Sequence, residues 1–250
     1  MVDETQRPDL GGSFPATRWS AIEGARSSDP NERRRALDRI VSVYWKPVYK
    51  YVRARHRRSA EDAQDLTQEF FASLIDRGTL EAYDPRRARL RTFLKSCVDA
   101  LAANADRDAR RLKRGGGNVP LSLEFELAEG ELARTGLPSP EHADDCFEKE
   151  WIRSLFAAAV DQLRSGLAAK GKEVVFSLFA RYDLDDAEPG RPTYADLARE
   201  FGLTTTDVTN HLATARREFR RIALDLLRET TASEDEFRRE ARSLLGHAPE

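Results

Sequence analysis

The sequence predicts an all-α protein of two small helical domains joined by an acidic linker. Three observations predict it. Apolar residues recur at three- and four-residue spacing through most of the chain, and no stretch shows the period-two alternation of a half-buried strand. A chain of 250 residues can also fill two separate apolar cores.

Residues 1–30 form an N-terminal extension rich in Gly and Pro, in which the aromatics of Phe14 to Ser20 are expected to anchor a short element. The first domain is expected over 31–114. Leu37, Ile40, Val41, Tyr44, Val48, Tyr51 and Val52 follow helical spacing from Asn31 to Arg58, as one helix or as two with Pro47 at the kink. Ser59 is a good N-cap for a second helix, with Glu61 and Asp62 in its first turn. Its apolar stripe is Leu66, Phe70, Phe71, Leu74 and Ile75, and Gly78 stops it. After a loop through Tyr83 to Arg89, Thr92 to Arg114 predicts a third helix with Phe93, Leu94, Cys97, Val98 and Leu101 inward.

The run Gly115 to Gly117 breaks that helix, and 115–146 reads as an acidic linker with one weak apolar patch, Leu121 to Phe125. The second domain is expected over 147–229. Trp151, Leu155, Phe156, Ala159, Val160 and Leu163 predict a helix from Phe147 to Leu167; Val175, Phe176 and Phe179 predict another from Lys172 to Tyr182. A short helix follows from Tyr194 to Phe201, then a turn at Gly202 and Leu203 and a longer helix from Thr205 to Arg228. In the extension 230–250, Phe237, Leu244 and Leu245 share helical spacing; this tail is expected to pack on the second domain or to bind a regulator.

The net charge of −2 hides opposite local charges. From Arg86 to Arg114 there are ten Lys/Arg against three Asp/Glu, and from Leu121 to Glu150 nine acids against two bases. Adjacent blocks of opposite sign point to two surfaces with different partners, one of them an anion. The N-terminus has no apolar signal segment and no stretch is long and apolar enough to span a membrane, so the cytoplasm is the expected location. Cys97 and Cys146 form no disulfide or metal pattern. His142 and Cys146 share a helix face but lack the two further ligands of a closed zinc site, so neither metal nor cofactor is expected.

The segment Tyr194 to Leu212 fits a helix-turn-helix, with Leu197 and Ala198 inward, Gly202 in the turn, Leu203 as a plug and Thr204 or Thr205 as the cap. Val208, Leu212, Ala215 and Phe219 then line the buried face of its second helix. That places Thr205, Thr206, Thr209, Asn210 and Ala213 on a groove-facing side, with Arg216, Arg217, Arg220 and Arg221 further along for phosphates. The alternative is an ordinary helical hairpin.

The segment Asp62-Ala-Gln-Asp-Leu-Thr-Gln-Glu-Phe-Phe71 resembles the region 2 signature of extracytoplasmic-function sigma factors, a subfamily of the sigma-70 family. The tyrosine-rich helix before it, the Tyr83-Asp-Pro loop, the basic third helix and the terminal helix-turn-helix follow in the family's order. The resemblance covers residues 31–114 and 147–228. It implies a factor that binds the beta-prime and beta subunits of core RNA polymerase, melts promoter DNA with its first domain and reads the minus-thirty-five element with its second. Polymerase docking would involve Asp62, Gln64, Asp65, Gln68 and Glu69, for which a solvated helix face is the plain alternative. The minus-ten surface would comprise Tyr83, Arg89, Arg91, Thr92, Phe93, Lys95, Ser96 and Asp99, because a separated strand needs cations along it and room for an unstacked base.

The chain departs from the family pattern at Gln64, where an acid is usual, at Asp99 and Ala100, where Arg-Asn is expected, and at Thr209 to His211, where relatives are more basic. Thr67 stands at a usually aliphatic position; a phosphate there would add about −1.5 to −2 charge beside the weakened acidic cluster. The resemblance also makes an anti-sigma factor or a protein kinase a possible regulator. The acidic linker is expected either to imitate nucleic acid in a polymerase channel or to be a solvated connector. Two other function classes compete with the resemblance. A dimeric helix-turn-helix regulator would read a palindrome without polymerase. An enzyme is disfavoured, since no P-loop, HExxH or nucleophile elbow occurs and the acids of Asp62, Asp65 and Glu69 at a helix start are commonly electrostatic.

Overall fold

A computed structural model describes residues 21–76, 78–109, 123–185, 190–231 and 233–245. The aromatic anchor before Ala21, the far end of the basic helix, the Gly115 to Gly117 break and Leu121 lie outside the described residues. Among those described, every regular element is helical and no strand occurs, as the hydrophobic periodicity requires.

Helix α1 (Ala21–Gly24) leads into α2 (Pro30–Arg55). The carboxylate of Asp29 caps α2 by accepting from the Asn31 N–H at 2.9 Å, and Pro30 occupies the first turn, where its missing N–H costs nothing. Pro47 neither ends nor divides α2. It is buried, and packing along both sides of the helix outweighs the one hydrogen bond it removes. Gly24 is required where α1 crosses α2, because a Cβ there would lie 2.9 Å from that of Ala36.

Helix α3 (Ala60–Asp76) starts at Ser59, whose hydroxyl accepts from the Asp62 N–H at 3.1 Å. Gly78, with φ of 61°, turns the chain into a short 3₁₀ segment (Thr79–Ala82). Helix α4 (Leu90–Ala109) then buries Leu90, Leu94, Val98 and Ala102, with Phe93, Cys97 and Leu101 half-buried at the margin.

The expected connector holds a helix, α5 (Phe125–Thr135), and gives way at Ala143 to α6 (Ala143–Ala168). Helix α5 forms because it has a surface to dock on. Phe125 packs against Trp45 and Tyr49, while Glu129 and Glu131 reach Tyr49, Arg53, Lys46 and Lys50 of α2. Glu129 and Glu131 thus face the basic side of α2, while Glu124 and Glu126 are exposed. Helices α7 (Glu173–Phe179), α8 (Tyr194–Phe201), α9 (Thr205–Glu229) and α10 (Glu234–Leu245) complete the described chain, with a π-type turn over Ala180–Leu184 after α7.

The most extensive helix pair is α2 with α6, where Phe147 meets Tyr44 and Tyr51, and Trp151 and Leu155 are buried. One apolar core therefore runs from Ile22 in α1 to Ala241 in α10. A second, smaller cluster of Leu178, Leu197, Ala198, Val208 and Leu212 holds α8 and α9 together.

Docking of α5 gives the fold an acid-sensitive joint. Burial alone would raise the carboxyl groups of Glu129 and Glu131, but hydrogen bonds from Arg53 and Tyr49 to the first, and from Lys50 and Lys46 to the second, hold both below the ordinary value of 4.5. A lowered folded pKa contributes stability that is present above the unfolded value and is lost as pH falls through the folded one. Thermal unfolding is expected to be insensitive to these groups near neutrality, and the melting temperature to fall as pH drops below about 4.5. A Glu129→Gln/Glu131→Gln variant should start lower at neutral pH and lose less on acidification. Equal slopes in variant and wild type would refute the assignment.

Candidate polymerase and nucleic-acid interfaces

On α3 the local pattern separates two faces. Ala63, Leu66, Thr67, Phe70, Phe71 and Leu74 are buried, and the opposite side presents Asp62, Asp65 and Glu69 to solvent with Gln64 and Gln68 half-buried between. The acids cluster toward the N-terminal turns, where the helix dipole favours them. Thr67 belongs to the buried face and its hydroxyl meets no hydrogen-bond partner. Phosphorylation of Thr67 therefore requires α3 to lift from the core.

The minus-ten candidates are divided by their surroundings. Arg89, Thr92 and Ser96 are exposed, and the Ser96 hydroxyl donates to the Thr92 carbonyl at 3.1 Å. Phe93, Lys95 and Asp99 are half-buried, whereas Tyr83 and Arg91 are buried and present no surface to a DNA strand in this arrangement. Tyr83 packs on Phe93 with ring centroids 5.3 Å apart, its carbonyl accepts from Arg26, and burial pushes its phenol up to about 12. Its hydroxyl has no partner. Asp99 receives the Nε2 of His56 at 2.8 Å and the hydroxyl of Tyr51 at 3.3 Å, so this acid serves an internal joint between α2 and α4.

The cations of the same surface meet carboxylates from the C-terminal half of the chain. Arg91 lies over the Trp151 ring at 4.5 Å and pairs with Glu148 of α6 at 2.6 Å and Glu240 of α10 at 3.0 Å. Arg89 pairs with the same oxygen of Glu240 at 2.8 Å. Lys95 reaches Asp144 and, at 3.9 Å, Glu148, with its ammonium 5.3 Å from the Phe147 ring centre. Burial of Arg91 would lower its pKa, but Glu148 and Glu240 outweigh that effect and hold the guanidinium charged.

Helices α8 and α9 are set by matched capping boxes. Thr193 accepts from the Asp196 N–H at 3.2 Å while Asp196 accepts from the Thr193 N–H at 3.0 Å, and Thr204 and Asp207 repeat the arrangement at 3.1 and 3.2 Å. Hydrogen bonds from Thr193 and Thr204 hold the two aspartates below the ordinary carboxylate range. The cap of α9 is thus Thr204, and Gly202 supplies the left-handed turn with φ of 66°. Val208, Leu212 and Ala215 point inward, and Thr205, Thr206, Thr209, Asn210, Ala213, Arg217 and Arg220 are exposed along one helix. Helices α8 and α9 thus meet at a tight turn, and α9 leaves one polar face uncovered. Arg216 differs from its neighbours. Both its Nε and Nη2 donate to Asp183, at 2.8 and 3.0 Å, and its guanidinium lies 5.3 Å from the Tyr182 ring centre. It fixes the π-type turn against α9, a role that nothing in the local sequence around Arg216 announces.

Among the described residues no group of three or more His, Cys, Asp or Glu side chains is placed to hold a metal ion, and no helix is long and apolar enough to cross a membrane. The family model for sigma-70 region 2 matches residues 40–112. No curated protein and no solved structure matches the chain. The matched segment runs from within α2, through the acidic face of α3, to the end of the described part of α4 and just beyond, so this part of the chain is similar to sigma-70 region 2.

Proposed function

We propose that the chain is a sigma factor of the extracytoplasmic-function type, and not an enzyme, which binds core RNA polymerase in the cytoplasm and directs promoter-specific transcription initiation. In this reading Asp62, Gln64, Asp65, Gln68 and Glu69 dock on polymerase, the surface around α4 takes the minus-ten element, and α9 reads the minus-thirty-five element. One observation supports it: the same chain joins a segment similar to sigma-70 region 2 to two helices, α8 and α9, that meet at a tight turn and leave the polar face of α9 uncovered. Exposed Thr205, Thr206, Thr209 and Asn210 suit base edges, while Arg217 and Arg220 suit phosphates.

Co-purification with bacterial core RNA polymerase tests the reading, comparing wild type with Asp62→Ala/Asp65→Ala/Glu69→Ala. These side chains are exposed, so the variant should keep its fold and melting temperature while losing polymerase. Wild-type chain that binds duplex DNA but no polymerase would overturn the proposal in favour of a regulator acting alone. Equal retention of wild type and variant would move the docking face away from α3.

A further inference from the structure

We infer that α10 and the first turns of α6 form a carboxylate lid that competes with a nucleic-acid strand for the cations of α4. The inference rests on the reading of α4 as a strand-facing surface. It starts from three cations, Arg89, Arg91 and Lys95, whose partners all come from outside the matched family segment: Asp144 and Glu148 from α6, Glu240 from α10.

A carboxylate and a phosphodiester offer a guanidinium the same pair of anionic oxygens, so the two ligands exclude one another at Arg91. Glu240 is placed for this by its own helix. Phe237 and Ala241 are buried on the inner side of α10, and the guanidinium of Arg228 in α9 lies over the Phe237 ring at 4.2 Å. That contact fixes α10 at the end of α9, from where Glu240 reaches both Arg89 and Arg91. The lid therefore links the helix that carries the reading face of the helix-turn-helix to the cations of α4. A strand on α4 must displace α10, and displacement of α10 frees the far end of α9.

The probe is a short, fluorescently labelled single-stranded DNA, and the readout is its anisotropy at fixed salt. Glu148→Gln/Glu240→Gln is expected to bind roughly tenfold more tightly than wild type, because the fraction of chain with α4 uncovered rises. Adding Lys95→Ala to that variant should reverse most of the gain. Unchanged or weaker binding by the opened variant overturns the lid. If Lys95→Ala nevertheless weakens the wild type, the reading of α4 stands and the lid alone falls; if no form binds the strand, both fall. Hydrogen exchange of the unmodified chain guards against a variant that misfolds. Saturating oligonucleotide should speed amide exchange across 234–245, and unchanged protection of α10 with the strand bound also overturns the lid.

Discussion

Urea denaturation of Lys50→Met is expected to show a loss of about 3–5 kcal/mol of stability, because the change leaves the buried Glu150 charge with only the longer contact to the exposed Arg153, at 3.5 Å. Lys50 is 4% exposed and Glu150 2%, and their charged atoms are 2.8 Å apart at the joint of α2 and α6. Glu131 of α5 reaches the same ammonium at 2.6 Å, so one lysine closes three helices together. Replacing both members, as Lys50→Met/Glu150→Leu, removes the uncompensated charge and should recover most of the loss, since well-packed apolar pairs replace buried ion pairs at little cost. The cycle reports the coupling directly. A double variant as unstable as the single one would show that the joint depends on shape at Lys50 and not on charge.

Trp151→Ala is expected to cost about 3–5 kcal/mol, the range for truncating a large buried aromatic. Trp151 is 2% exposed in the core between α2 and α6, and its ring carries the Arg91 guanidinium. The loss therefore combines an apolar cavity with removal of the platform that orients Arg91 between Glu148 and Glu240. Trp151→Phe keeps a ring in place and should lose well under half as much. The measurement is the denaturation midpoint at constant m-value; near-equal losses for the two variants would mean that the indole's outer ring, and not the presence of an aromatic platform, is what the core requires.

Both predictions concern contacts that no stretch of sequence displays. Most of the helices are legible, because a helix is written within three or four residues; α5 is not, since it folds only against α2. Ser59, Gly78, Gly202 and Thr204 mark ends that the chain then uses. The uncovered acids of α3 and the exposed threonines of α9 follow from the same periodicity, since the apolar stripe dictates which side is left outside. Pro47 was ambiguous for a local reason. A proline argues for a break, and only helices packed along both sides of α2 override it.

The charged residues carried no such address. Acids in 115–146 read as solvated or as imitating nucleic acid, yet Glu129 and Glu131 are bound to α2 once α5 folds against it. Tyr83 and Arg91 match a family's strand-facing positions by order along the chain, but burial depends on what lies above them. Arg91 is covered by residues up to 149 positions away, and Arg216 is claimed by Asp183 across a turn. Local periodicity and turn residues were enough for most of the helices, for the ends at Ser59, Gly78, Gly202 and Thr204 and for the faces of α3 and α9, but not for α5. Tertiary structure alone decided which charges meet, because Coulombic partners are chosen by distance in space, on which hydrophobic periodicity is silent.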